Sequence, residues 1–330
     1  MLSKTFLKEV KLVHKDKLSG AAKISEATLL ILKRECLKLG NKLNSSILKT
    51  AIQLLLDTHP MATIENALFP IYLRLTKLII SGGLQKEDSK AVIDLIFATR
   101  REQMRIGEEN TIETLTKTLQ DKRTILTFSH SSTVTTALLQ LAGDGYRDKE
   151  IYILESRPLR EGERTALSLA NAGFEEIHLG IDFAVNEFSQ HAEVAVLGAD
   201  MIHSNGQVLN KIGSATIAHL FHTKSKEVII AASPSKVCLR GMINGNSDWH
   251  PLIPHRESKE ITKISRPNLI VWNRYFEIIQ PELISYLIMD CHKFTAPVSM
   301  KLKKFLKKDL VFSEQKELQE LWHEVDFTMV

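Results

Sequence analysis

From Leu2 to about Leu119 the apolar positions recur every three or four residues. The stretch "AVIDLIFATRREQMRIG" places Val92, Ile93, Ile96, Phe97 and Met104 along one side, a pattern that strict alternation cannot produce. This half therefore predicts a helical domain. Gly20, Pro60 and the Ser81–Gly83 "SGG" punctuate it, and "EENTIETLTKTLQDKR" predicts a last amphipathic helix leading out. After Lys122 the pattern changes to short β-branched or apolar runs, "TILTF", "EIYILE", "EIHLGI", "VAVLG", "EVIIAA" and "LIVW". Helix-length segments such as "ERTALSLANAG" and "SATIAHLFHTK" separate them. Strands alternating with helices at this pitch predict a parallel sheet wrapped on both faces. The expected fold class is α/β, an all-helical N-terminal domain (1–120) followed by a Rossmann-like parallel-sheet domain (121–300). A helical tail (301–330) closes the chain, with Leu302, Phe305 and Leu306 on one face and lysines opposite, as in a solvated docking helix.

Composition narrows the function without choosing it. The chain has 330 residues, enough for two ordinary domains, and its 44% hydrophobic and 25% charged residues are those of a globular protein. A net charge of +4 is too small to predict direct nucleic-acid binding. No stretch offers the ~18 apolar residues of a membrane span, so no membrane partner is expected. Cys36, Cys238 and Cys291 lie far apart, which predicts neither a disulfide framework nor a four-ligand zinc site and places the protein in the reducing cytoplasm. His250 and His255 near Cys238 do not change this, and no metal site is expected. No Gly-x-Gly-x-x-Gly follows a strand and no Walker-type Gly-Lys-Ser/Thr is present, so no nucleotide cofactor is expected.

The chemistry concentrates in "LGADMIHSNGQVLNKIGS", residues 197 to 214. Asp200 follows a buried run, at the strand end where open α/β sheets bind ligands, and Gly198 leaves room for a close approach. Asp200 equally suits a loop cap. Asn205-Gly206 is a strong turn signal, after which Asn210 and Lys211 precede a helix opened by Gly213-Ser214. Unpaired N–H groups beside a lysine and an asparagine amide describe a phosphate or sugar-phosphate site, or else an ordinary capped helix start. Other strand ends carry Ser129, Ser131, Ser132 and Thr133, then Glu155 and Arg157, then Lys236. Such convergence on one edge predicts a ligand site.

These motifs, with "ESRPLREGERTA", "GIDFAVNEF", "AASPSK" and "NRYFEIIQPELI", resemble one family. It joins the alpha, beta and delta subunits of translation initiation factor 2B to isomerases of 5-methylthioribose 1-phosphate and ribose 1,5-bisphosphate. The similarity runs from about Lys17 to Leu287. It implies that Asp200 moves a proton between C1 and C2 of the sugar, that Asn210 and Lys211 hold the ligand, and that Lys236 and Arg157 match further family positions. It also implies a homodimer or higher homo-oligomer, with initiation-factor subunits as candidate partners. Three positions depart from the isomerases. Ser129 stands where they carry a cysteine, replacing a thiol of pKa about 8.5 by a far less acidic hydroxyl, which needs a base such as His130 beside it. Ser19, Gly20 and Ala21 replace an Arg-Gly-Ala that contacts phosphate, leaving Gly20 and Ala21 at that position. His59-Pro60 replaces an Arg-Pro. Two functions follow from the resemblance: an initiation-factor-like protein that binds a phosphorylated sugar or nucleotide in a regulatory role, or an aldose-ketose isomerase, formally an intramolecular oxidoreductase, with Asp200 and Ser129 as its catalytic pair.

Overall fold

The computed structural model describes residues 1–16, 20–59, 61–85, 88–238, 253 and 255–306. Ser19, Pro60, His250 and the tail beyond 306 lie outside the described residues. The chain divides into two compact units. The first takes residues 1–106 with the described residues from 235 onward to 238 and the last two, 305 and 306; the second takes 107–234 and the described residues from 253 to 304.

Helices α1 (Lys4–Lys15), α2 (Ala21–Leu39), α3 (Ser45–Leu56) and α4 (Ala62–Ile80), with the start of α5 (Ser89–Leu119), build the first unit. Ser3 and Asn44 accept backbone N–H bonds at the starts of α1 and α3, as short polar caps do. Helix α4 is buried nearly all round and carries Pro70 in its interior. A proline has no N–H to give the carbonyl four residues back, here that of Asn66. The buried Arg100 supplies the missing donor, its guanidinium reaching the Asn66 carbonyl at 2.6 Å. Along α5, Ile93 and Phe97 are fully buried on the predicted face, each stabilising by about 1.5–3 kcal/mol.

The sequence predicts two helices where the structure has the single 31-residue α5. Gly107 marks the expected break, yet it is a packing position. A Cβ there would lie 3.2 Å from the Pro234 ring, so glycine lets that ring close on an uninterrupted helix.

In the second unit a seven-stranded sheet has the order β10-β9-β7-β4-β1-β2-β3. The strands are β1 (Thr124–Phe128), β2 (Glu150–Leu154), β3 (Glu176–Gly180), β4 (Val194–Leu197), β7 (Glu227–Ala231), β9 (Tyr286–Met289) and β10 (His292–Thr295). All pairs are parallel except the β9–β10 hairpin, whose turn carries the exposed Cys291. Strands β1, β2, β4 and β7 are buried at four positions each, the continuous apolar pattern of a doubly covered sheet. Helices α6 (Ser132–Gly143), α7 (Glu161–Asn171), α8 (Val185–His191) and α9 (Ser214–Thr223) connect them. A smaller antiparallel sheet, β5 (Met201–Ile202), β6 (Val208–Lys211) and β8 (Phe276–Ile279), follows β4 and carries the predicted Asn205-Gly206 turn. Helix α10 (Val298–Leu306) begins ahead of residue 301 and buries Leu302 and Leu306, with Phe305 half-buried.

The run "LIVW" is the one predicted strand that fails. Residues 269–272 are irregular, with Ile270 86% and Trp272 65% exposed, and no strand among the described residues pairs with them. No helix among the described residues is long and apolar enough to cross a membrane.

Candidate active site

The sheet order reverses at β1, which pairs with β2 on one side and β4 on the other. A crevice opens at such a switch point beyond the carboxyl ends of the two strands. Ser129 follows β1 there and Asp200 follows β4, so topology sets the two predicted catalytic residues on neighbouring turns.

The β1 turn is built tightly. Ser129 adopts a left-handed φ of 63°, its N–H donates to Ser156 Oγ at 2.8 Å, and its carbonyl accepts from Thr165 Oγ1 at 2.9 Å. The Ser129 hydroxyl has no partner among the described residues. His130 meets the same Thr165 Oγ1 through Nδ1 at 3.0 Å. Burial, helped by the Arg164 charge, pushes His130 below its usual range, and Glu161 opposes the shift. Ser131 caps α6 by accepting from Val134 N–H. Thr133 donates to Glu108 Oε1 at 2.6 Å, and Ser132 is exposed.

The β4 turn packs on this one. A Cβ on Gly198 would lie 2.6 Å from Ser131 Oγ, so the room left by this glycine is filled by the neighbouring turn rather than by a ligand. Two residues on, Asp200 is half-buried and its N–H donates to the Leu209 carbonyl, which sets it beside the β6 strand carrying Asn210 and Lys211. Asn210 donates to the buried Ser214 Oγ at 3.0 Å. Lys211, its side chain only 5% exposed, is held by both oxygens of Glu161 at 3.0 and 2.9 Å, with Nζ 5.1 Å from the Tyr275 ring centre. A buried cation of this kind needs a paired anion, and Glu161 provides it.

At the start of α9, where the sequence offers a phosphate position or an ordinary capped helix start, the chain supplies its own acceptor. Glu277 on β8 accepts from the N–H groups of Gly213 and Ala215, both at 2.7 Å, so an internal carboxylate occupies the donors that the helix start offers. Arg157 is anchored through its backbone. Its side chain is exposed while its N–H and that of Ser156 donate to the two oxygens of Asp182, each at 2.7 Å. Gly20, Ala21 and Lys236 belong to the first unit. Gly20 is the exposed residue preceding α2, Ala21 its first residue, and Lys236 ends a short 3-10 turn. The second unit brings together Ser129, Ser131, Ser132, Thr133, Asp200, Asn210 and Lys211, with the Arg157 backbone.

Sequence reasoning missed Glu161, Thr165, Asp182 and Glu277. The first two sit in the quoted "EGERT" at the start of α7, where a carboxylate and a hydroxyl one helical turn apart were a usable signal. Glu277 is more than sixty residues from its partners and carries no local signal.

Comparison with known proteins agrees with this architecture. The Initiation factor 2 subunit family matches residues 17–294. A ribose 1,5-bisphosphate isomerase of Thermococcus kodakarensis is 30% identical over 254 residues, 74% of this chain and 75% of that one. Among solved structures, 5-methylthioribose 1-phosphate isomerase from Pyrococcus horikoshii OT3 superposes with a TM-score of 0.72 at 18% identity, covering 92% of this chain and 88% of that one. The translation initiation factor eIF-2B of the same organism gives 0.68 at 20%, covering 90% and 98%.

Proposed function

The chain belongs to the Initiation factor 2 subunit family, and from that premise we propose that it is a sugar-phosphate isomerase. It converts an aldose 1-phosphate of the ribose 1,5-bisphosphate or 5-methylthioribose 1-phosphate kind to the ketose phosphate. Asp200 carries protons at the sugar, Asn210 and Lys211 hold the ligand, and the α6 start from Ser131 to Thr133 faces a phosphoryl group. Ser129 lines the reacting carbon. The observation that carries the reading is the meeting of the β1 and β4 turns at the switch point, with the buried Lys211 on the strand beside Asp200. The 30% identity to a protein named for this chemistry supports it.

A second reading has its own observation. Glu161 holds Lys211 by both oxygens and Glu277 fills the α9 start, so two anion-attracting groups are satisfied internally, as suits a site that binds a phosphorylated sugar or nucleotide without turning it over. Homo-oligomeric assembly and docking of initiation-factor subunits belong to this second proposal. A phosphorus NMR time course with ribose 1,5-bisphosphate, 5-methylthioribose 1-phosphate and AMP separates the two. A new ketose-phosphate signal that disappears in Asp200→Asn supports the isomerase; line broadening without conversion overturns it in favour of the binding protein.

A further inference from the structure

His130 lies on the turn between β1 and α6, and its hydrogen bonding fixes which ring nitrogen carries the proton. Thr165 Oγ1 touches two groups, the Ser129 carbonyl at 2.9 Å and His130 Nδ1 at 3.0 Å. A hydroxyl has one proton to give. A carbonyl only accepts, so the Thr165 proton goes to Ser129 O, and toward His130 the same oxygen is an acceptor. Nδ1 must then bear the hydrogen. The reverse arrangement, Thr165 donating to a bare Nδ1, leaves the Ser129 carbonyl without a donor beside a side chain that is 1% exposed, which costs about 1–3 kcal/mol. In the Nδ1–H form, Nε2 holds a free lone pair, and among the described residues it has no hydrogen-bond partner.

Position gives that lone pair a use. The His130 turn rests on the Asp200 turn through the Ser131–Gly198 contact. The charged groups acting on His130 are Arg164 and Glu161, both on α7, and Glu161 is the residue that grips Lys211. Ser129 offers only a weakly acidic hydroxyl with no base bonded to it. We propose that His130, locked as its Nδ1–H tautomer by Thr165, is the base of the isomerisation, taking the C2 proton of the sugar at Nε2. Thr165 is its positioning residue.

The inference rests on the isomerase reading, and its steps balance. The Asp200 carboxyl gives its proton to the ring oxygen as the bond from that oxygen to C1 breaks. Nε2 accepts the C2 proton while the C2–H electron pair forms the C1–C2 double bond of an enol phosphate. The imidazolium returns the proton to C1, and the C2 hydroxyl proton passes to the Asp200 carboxylate as the C2 carbonyl forms. Both groups end as they began.

The test combines long-range nitrogen-15 histidine spectra of the full chain with kinetics on ribose 1,5-bisphosphate. The spectra are expected to assign His130 as Nδ1–H in the wild type and in Thr165→Ser, and as predominantly Nε2–H in Thr165→Val. Turnover is expected to fall by about 10²–10⁴-fold in His130→Gln, the range of a lost general base. The acidic limb of the kcat/KM profile is expected to vanish in His130→Gln, to be kept in Thr165→Ser and to be lost in Thr165→Val. An Nε2–H signal in the wild type overturns the proposal whatever the activity. An active wild type matched by an equally active His130→Gln overturns it while leaving the isomerase reading intact. An inactive wild type removes that reading and the base role together.

Discussion

Two helix starts in the second unit look alike in sequence, "SHSST" at α6 and "IGSAT" at α9, and each has a carboxylate nearby, yet their backbone N–H groups are used differently. At α9 the N–H groups of Gly213 and Ala215 are closed by the Glu277 carboxylate. At α6 the only side-chain cap is the neutral Ser131 hydroxyl, and the Ser132 and Thr133 N–H groups have no acceptor among the described residues. The difference teaches that a helix start attracts an anion only while its own chain supplies none. At α6 the Glu108 carboxylate takes the Thr133 hydroxyl and leaves the N–H groups open, as the proposed phosphoryl position requires.

The comparison breaks most violently at Glu277. Glu277→Ala strips two charge-assisted bonds and is expected to cost about 3 kcal/mol of stability, read as a lower urea midpoint, while Glu277→Gln keeps an acceptor and loses less than half of that. Inorganic phosphate should then gain a site at α9, detectable by calorimetry in Glu277→Ala alone. Next comes Lys211→Ala, expected to weaken binding of a phosphorylated sugar by about 1.5 to 3 kcal/mol with the fold retained, because Glu161 is 30% exposed and stays solvated without its partner. Unchanged affinity would remove Lys211 from the site.

Smaller and sharper is Ser132→Pro. Ser132 is the first residue of α6 and the preceding Ser131 is extended, at φ −98° and ψ 120°, so proline fits there and deletes one open N–H. Affinity for the phosphorylated sugar should fall by about 1 kcal/mol with thermal stability unchanged; a fall in stability alone would place the phosphate elsewhere. The smallest effect concerns pH. His130 binds its proton less readily folded than unfolded, so the unfolded chain takes up more protons and stability drops as pH falls below about 6.5. His130→Gln should flatten that drop in urea midpoints measured at pH 7.5 and 5.5.

The fold was legible where burial and local pattern agree. "TILTF" and "VAVLG" read as strands because both faces of their sheet are covered, and the hairpin turn at Asn205-Gly206 needs only its own two residues. "LIVW" misleads because an apolar run says nothing about whether a neighbour exists to cover it. Strands β8, β9 and β10 are absent from the predicted runs: Glu277 and Lys293 interrupt the apolar character of β8 and β10, whereas the apolar β9, "YLIM", carries the same pattern as β1 and still goes unread. In the site, Asp200, Asn210 and Lys211 were visible through their strand-end spacing. The carboxylates that answer them were not, since the pairing of Lys211 with Glu161 spans fifty residues and exists only after folding.

The exposed Cys291 on the β9–β10 turn gives the chemist a counting device. Cys36 and Cys238 are buried, and burial drives the Cys36 thiol up to about 12, so the native protein presents one exposed thiol out of three. A Ser129→Cys variant, which places at this turn the thiol that the resemblance implies for the isomerases, would therefore report the accessibility of its own turn. A second equivalent of disulfide reagent consumed before denaturation, and its protection by a bound sugar phosphate, would report occupancy of the proposed site without any assay of turnover.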